Sequence, residues 1–311
     1  PEFEGLLEAS HKKIRAYVNE HVGYVKGGNL RPDDSIRGLP EVKLRQTPIT
    51  EFFLDVMAFY SKADVVSVHL DNPYPQMPEG EIKRKHIYNS YSYAGGEITN
   101  YLVKVRDLKA YMEWSAGYFN QSQEGDFTIS FASHRLKYKY STFDIFGNVK
   151  YEIDLKMPFG SRIKNLRRMD GQILLDDEEI VLGLNKFRMD YLKSENGPLH
   201  GRDFKVLWSS LKDKSLGFSG TIRNLSIDYF KHLPEETYYT GGELGTLEAF
   251  RWQILSHAED EVCQKAICLL NMGLLDYDET DLGGADLSIA KNIYDKISFD
   301  EYIKINNKFK I

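Results

Sequence analysis

Eight histidines, two cysteines and several glycine pairs are the first places where this sequence could do chemistry. A metal site needs two or more ligands brought to one face by short regular spacing. His11, His21, His69, His86, His134, His200, His232 and His257 stand singly, with no HxH, HxxxH or CxxC arrangement among them. Solvated imidazoles are the expectation, and no metal ligand is assigned. No GxSxG elbow offers an activated serine. Cys263 and Cys268 lie five apart in an apolar helical stretch, a setting that raises thiol pKa, and they read as two buried thiols without a disulfide framework. Gly27-Gly28, Gly95-Gly96 and Gly241-Gly242 lack the frame of a phosphate-cradling loop and read as turns. The carboxylates Asp176-Asp177 and Glu178-Glu179 fall in a charge run beside a turn, which reads as a solvated rim. None of these residues assembles a catalytic engine.

Aromatic side chains are the abundant resource, with 20 tyrosines and 17 phenylalanines, several of them beside polar turn residues instead of in apolar stripes. Phe143-Asp144-Ile145-Phe146-Gly147-Asn148 places two rings on a loop leading into a strand. Asn185-Lys186-Phe187-Arg188 places a third just after a strand ending at Leu184. Two rings can clamp a planar base, each stacked contact contributing roughly 1–3 kcal/mol, and an asparagine amide can read its edge. By periodicity alone the same rings serve equally well as core plugs, so both readings stand.

The elements that must position these residues follow from hydrophobic periodicity. Leu6 to Val18 and Ile49 to Tyr60 carry apolar residues at helical spacing, with Gly23 a plausible stop for the first. Asp64 to Leu70 and Tyr101 to Val105 read as strands, and Asp107 is placed to cap a helix over 108–119. The middle of the chain is strand-rich: 127–131, 136–140, 149–155, 162–166, 179–184 and 205–208, with Asp170-Gly171 as a tight hairpin turn. Helices are expected over 220–230, 247–254 and 259–272. The pattern predicts an α+β fold with a mixed, largely antiparallel sheet and flanking helices.

Length and composition bound the rest. A chain of 311 residues with 42 % hydrophobic and 28 % charged residues is long enough for a substantial core. No apolar run approaches the roughly 18 residues needed to span a bilayer. The net charge of −6 opposes wrapping of a nucleic-acid polymer, while leaving room for small ligands at local sites. Pro1-Glu2-Phe3 carries neither a starting methionine nor a signal pattern, so a mature or excised piece is expected.

Several blocks, in order, resemble the C-terminal, substrate-binding domain of the 5'-nucleotidase family, most closely its 2',3'-cyclic-nucleotide 2'-phosphodiesterase/3'-nucleotidase branch. Tyr151 to Leu155 followed by Pro158 to Leu166 is similar to that branch's YxIDxxxPxGxRIxNL signature. Val103 to Ala116 is similar to its VxVTGxxLKxxLEWSA helix entry, and Val181 to Arg188 to its VATNNYR strand and loop. Thr221 to Tyr229 and Phe250 to Ile254 are similar to its closing IRxxxxxY and NWxI pieces.

The resemblance implies a two-domain hydrolase in nucleotide catabolism, acting outside the cell, in the periplasm or at the cell wall. Its N-terminal metallophosphoesterase domain would hold two divalent metal ions, and its motifs DxHG, GNHE and GHxH do not occur here. The chain is then expected to bind no cofactor of its own, to be inactive unaided, and to divide into a linker helix (1–25), a substrate-binding domain (26–254) and a helical extension (255–311). The implied ligand is a nucleotide or nucleoside. Carried over by position, Phe187 supplies one ring of a base clamp and Phe146 or Phe143 the other. Asn148, Asn185 and Arg188 are the accompanying polar candidates. Two loops depart from the family pattern: Met189-Asp190-Tyr191 replaces a Gly-Gly, and Val68-His69-Leu70-Asp71-Asn72 stands where an NxGGxR loop is expected. A degenerate binding or interaction module on the same fold is therefore the alternative.

Overall fold

The computed structural model describes residues 2–37, 39–124, 126, 128–136, 142–233, 238–240 and 251–257, with Gln264, Ile267, Cys268 and Asn271. Cys263, the strand expected beyond Leu136, residues 247–250, Gly241-Gly242 and most of the extension at 255–311 lie outside the described residues.

In chain order the elements are α1 (Glu2–Val18), β1 (His21–Lys26), α2 (Pro48–Ser61), β2 (Val65–Val68), β3 (Gly80–Lys83), α3 (Arg84–Ser90), β4 (Thr99–Lys104), α4 (Val105–Ala116), α5 (Ser133–Leu136), β5 (Ile145–Gly147), β6 (Val149–Asp154), β7 (Ile163–Arg168), β8 (Glu179–Leu184), α6 (Lys186–Leu192), β9 (Lys205–Ser209), α7 (Ile222–Tyr229), β10 (Tyr238–Thr240) and β11 (Trp252–Leu255). The central sheet has five strands in the order β5-β2-β8-β4-β9. Only β2 and β8 run parallel within it; the other three pairings are antiparallel. Two three-stranded sheets, β10-β1-β3 and β11-β6-β7, complete the α+β architecture.

Local sequence explains the elements that frame the central sheet. Pro48 opens α2 where no backbone N–H is needed, and the Thr47 N–H donates to Thr50 Oγ1 at 3.2 Å in a reciprocal cap. The helix ends at Lys62 in the left-handed region, φ 53°. β2 is buried at every position, as a strand covered on both faces must be, with α2 packed against β2, β5 and β8 and α4 against β4 and β8.

Four expectations change. Gly23 does not stop the first helix; α1 ends at Val18 and Gly23 lies inside β1, where a Cβ would stand 2.3 Å from the Phe230 ring. Asp107 sits inside α4, its carboxylate reaching back to the Lys104 N–H at 3.3 Å from the third helical position. Trp252–Leu255 is a strand parallel to β6, not a helix, because Trp252 is only 1 % exposed and stacks on Tyr151 at 6.3 Å. Among residues 128–131, Phe131 forms an isolated bridge with Phe119 instead of a strand.

Candidate functional site

The register of the central sheet gathers four loops at one end. β8 ends at Leu184, paired with Thr99 at the start of the antiparallel β4. β2 runs parallel to β8 and ends at Val68, which faces Ile145 at the start of β5. The loops after β2, before β4, before β5 and after β8 therefore emerge together, outside the carboxyl ends of the two parallel strands. Crevices at that end are where sheet topology leaves backbone and side chains available to a ligand.

Two exposed rings face each other there. Tyr93, on the loop before β4, and Phe187, in the first turn of α6, are 43 % and 41 % exposed, with centroids 6.0 Å apart at 45°. Asn185 caps α6, its Oδ1 accepting the Phe187 N–H at 2.8 Å, and so sets the ring's direction. The opposing loop is held by Arg223 at the start of α7, whose Nε donates to the Tyr91 carbonyl at 2.8 Å and whose Nη2 donates to the Ser92 carbonyl. Gly96 lets the two halves approach. A Cβ there would lie 2.6 Å from the Tyr91 hydroxyl, 2.8 Å from Asn185 Nδ2 and 3.0 Å from the Tyr93 ring.

Phe146 and Phe143, the rings expected opposite Phe187, lie in the core and not in this exposed pair. Phe146 is 1 % exposed, edge-on to Tyr111 at 4.9 Å and to Tyr151 at 6.0 Å. Phe143 is 2 % exposed and packs against Phe119 at 4.9 Å and Trp252 at 5.7 Å. Full burial of a phenylalanine contributes roughly 1.5–3 kcal/mol, so moving either ring out of the core costs about as much as a stacked base would return. Asn148 is also structural: it takes φ 63° in the turn between β5 and β6, a conformation asparagine tolerates, and its Nδ2 donates to the Ala63 carbonyl at 3.1 Å.

Arg188 is 2 % exposed and lies beneath the site, its Nε 2.9 Å from Asp144 Oδ2 and its Nη2 donating to Thr142 Oγ1 at 2.5 Å. The Tyr111 hydroxyl donates to the same Asp144 carboxylate at 2.6 Å, and Ser67 shares the Tyr111 hydroxyl at 2.8 Å. His69 bridges this buried network outward, with Nδ1 3.6 Å from Asp144 and Nε2 3.5 Å from Asp71. Burial, reinforced by the Arg188 charge, lowers the His69 pKa to about 3 and keeps the ring neutral. Tyr191 packs on Trp114 at 5.6 Å.

Tyr93 and Arg223 are the residues that sequence reading did not select. Tyr91-Ser92-Tyr93-Ala94-Gly95-Gly96, an aromatic-flanked glycine turn leading directly into β4, was the available signal. Among the described residues no group of three His, Cys, Asp or Glu side chains is placed to hold a metal ion. Cys268 is exposed, contrary to the expected burial.

The family model for the 5'-nucleotidase C-terminal domain matches residues 21–190. The chain belongs to that family. As a 5'-nucleotidase C-terminal domain it shares its fold with three solved structures. A 5'-nucleotidase described as putative, from Staphylococcus aureus, aligns with TM-score 0.61 at 17 % identity, covering 80 % of this chain and 43 % of that one. A 5'-nucleotidase precursor from Thermus thermophilus gives 0.55 at 16 % identity, over 81 % and 43 %. The NAD nucleotidase of Haemophilus influenzae gives 0.54 at 12 % identity, over 82 % and 41 %. This 5'-nucleotidase C-terminal domain thus spans less than half the length of each. No curated protein matches the sequence. No helix among the described residues is long and apolar enough to cross a membrane.

Proposed function

We propose that this domain binds the base of a nucleoside or nucleotide between Tyr93 and Phe187 and presents it to the metal-bearing N-terminal domain of a two-domain phosphoesterase. The observation that carries the reading is the facing pair of exposed rings at the open end of the central sheet. A base in van der Waals contact with both faces needs about 7–8 Å between parallel rings, so the 6.0 Å pair, tilted at 45°, must both open by an ångström or two and turn parallel on binding. We assign the chain, in its full-length protein, to extracellular or periplasmic nucleotide catabolism, in the cyclic-phosphodiesterase/3'-nucleotidase branch.

A degenerate module is the second reading, favoured by the loop after β2. There Asn72 is used internally, its Nδ2 donating to the Asn89 carbonyl at 2.9 Å and its Oδ1 accepting the Tyr74 N–H at 2.9 Å. Calorimetric titration of the chain with adenosine and 3'-AMP, without metal, separates the two. Binding that Phe187→Ala weakens by one to two orders of magnitude, roughly 1–3 kcal/mol, supports the clamp. Absence of binding by the intact chain supports the degenerate module.

A further inference from the structure

β9 is an edge of the central sheet, paired with β4 on one side and, among the described residues, with no strand on the other. The helices α2 and α4 cover β2, β5, β8 and β4, while Lys205, Val206 and Leu207 stay exposed. Val206, Leu207 and Leu211, the last just past the strand, are each about half exposed. The register slips at this point: Asn100 faces Trp208 and Tyr101 faces Val206, leaving Leu207 without a partner on β4. An edge strand holds out N–H and C=O groups to any further strand, and proteins guard such edges with charge, polar faces or a covering element. Charge is present here, but no element covers the strand and its apolar side chains are bare. Apolar residues grouped along an open edge mark a contact surface, unlike the single ones scattered over any protein.

A groove of about 540 Å³ lies against this edge, lined by Val206, Leu207, Trp208, Lys212, Asp213 and Lys214. Its one carboxylate is held by its own loop: Asp213 Oδ2 accepts from Trp208 Nε1 at 2.9 Å and Oδ1 from the Ser215 N–H at 2.9 Å. Lys205, Lys212 and Lys214 are exposed, and among the described residues none has a carboxylate within ion-pair distance. The neighbouring cations Lys193 and Arg202 are paired, with Asp203 and Asp107. The edge is thus net positive on a chain whose net charge is −6.

We propose that β9 receives an extended acidic peptide segment of another protein as a further strand of the central sheet. Main-chain hydrogen bonds along the open edge supply affinity, and side-chain contacts supply selectivity. Apolar residues of the segment cover Val206, Leu207 and Leu211, and its carboxylates meet Lys205, Lys212 and Lys214. Charge decides the occupant. A second copy of this chain would bring the same lysines against these, and like charges facing across a strand pair are destabilising. An acidic strand turns the same lysines into attraction. This surface is independent of the Tyr93–Phe187 reading and stands whether or not those rings hold a base.

The test is fluorescence anisotropy of the 311-residue chain with a labelled peptide of about eight residues alternating glutamate and valine. Saturable binding with a dissociation constant below about 1 mM is expected, together with slowed hydrogen exchange at the amides of residues 205–209. The double variant Lys212→Glu with Lys214→Glu, both exposed positions, should melt as the parent does and bind this peptide about threefold to tenfold more weakly. The same peptide with lysine in place of glutamate, or with alternate backbone nitrogens methylated, should bind less well than the original. The proposal is overturned by absence of binding at about 1 mM, by indifference to the lysine reversal, or by equal binding of the methylated peptide. Concentration-dependent self-association of the intact chain that Leu207→Lys removes would overturn it too, by assigning the edge to a second copy.

Discussion

Glu97 and Lys186 join the two halves of the site: the Glu97 carboxylate, 8 % exposed, accepts the Lys186 backbone N–H at 3.2 Å. Glu97 lies on the loop that carries Tyr93, and Lys186 is the first residue of the helix that carries Phe187. Besides the close approach at Gly96, the two halves are thus tied by a charge-assisted hydrogen bond, of a kind that contributes roughly 1.5–3 kcal/mol. Glu97→Ala is expected to lower nucleoside affinity about tenfold or more through misplacement of the rings. Glu97→Gln keeps an oxygen acceptor and should recover most of that loss, a rescue that calorimetry of the two variants reads directly.

The rings themselves separate stability from binding. Tyr93→Ala removes an exposed side chain and should leave the melting temperature nearly unchanged while weakening adenosine binding by roughly 1–3 kcal/mol. Phe146→Ala opens a cavity between Tyr111 and Tyr151. It should cost about 3–5 kcal/mol of stability, measured by urea unfolding, with binding by the remaining folded protein unchanged. A loss of affinity in Phe146→Ala without a loss of stability would return that ring to the site.

Gly96→Ala addresses the close approach. The added methyl would sit 2.6 Å from the Tyr91 hydroxyl and 2.8 Å from Asn185 Nδ2, inside contact distance of both. Relief requires the Tyr93 loop to move away from α6, at about 1–3 kcal/mol for overpacking. The expected signature is a lowered melting temperature together with weaker nucleoside binding, whereas Gly95→Ala, with nothing within 4 Å of the new methyl, leaves both near wild type.

Two buried groups give stability a pH dependence of opposite sign. His69, held at about 3 against an ordinary 6.5, binds its proton in the unfolded state first, so its contribution is lost as pH falls from 6.5 toward 3. Glu51, raised to about 7 from 4.5 by burial that outweighs the Arg251 guanidinium 2.7 Å away, binds its proton in the folded state first. Its contribution is full below 4.5 and lost as pH rises through 7. The slopes oppose between 4.5 and 6.5, leaving His69 alone on the acid side and Glu51 on the neutral side. Thermal melts from about pH 3 to 8 should show His69→Gln flattening the acid limb and Glu51→Gln the neutral one.

Sequence alone determined the element types wherever periodicity was long and turn residues marked the ends, as in α2, β6, β8 and the Asp170-Gly171 turn with Gly171 at φ 93°. The ordered motifs likewise identified the family that the domain model matches over residues 21–190. Phe187 could be singled out because its strand-to-helix junction is a local pattern. The second ring could not, since Tyr93 and Phe187 stand 94 positions apart in the numbering and meet only through the antiparallel register of β4 on β8, Thr99 opposite Leu184. Phe146 and Tyr93 are both aromatic residues near a glycine at a strand's edge; what separates them is that β5 is sealed beneath α2 while the 91–98 loop opens to solvent at Tyr93. That difference is one of packing between distant elements, and burial is a property the tertiary structure alone confers.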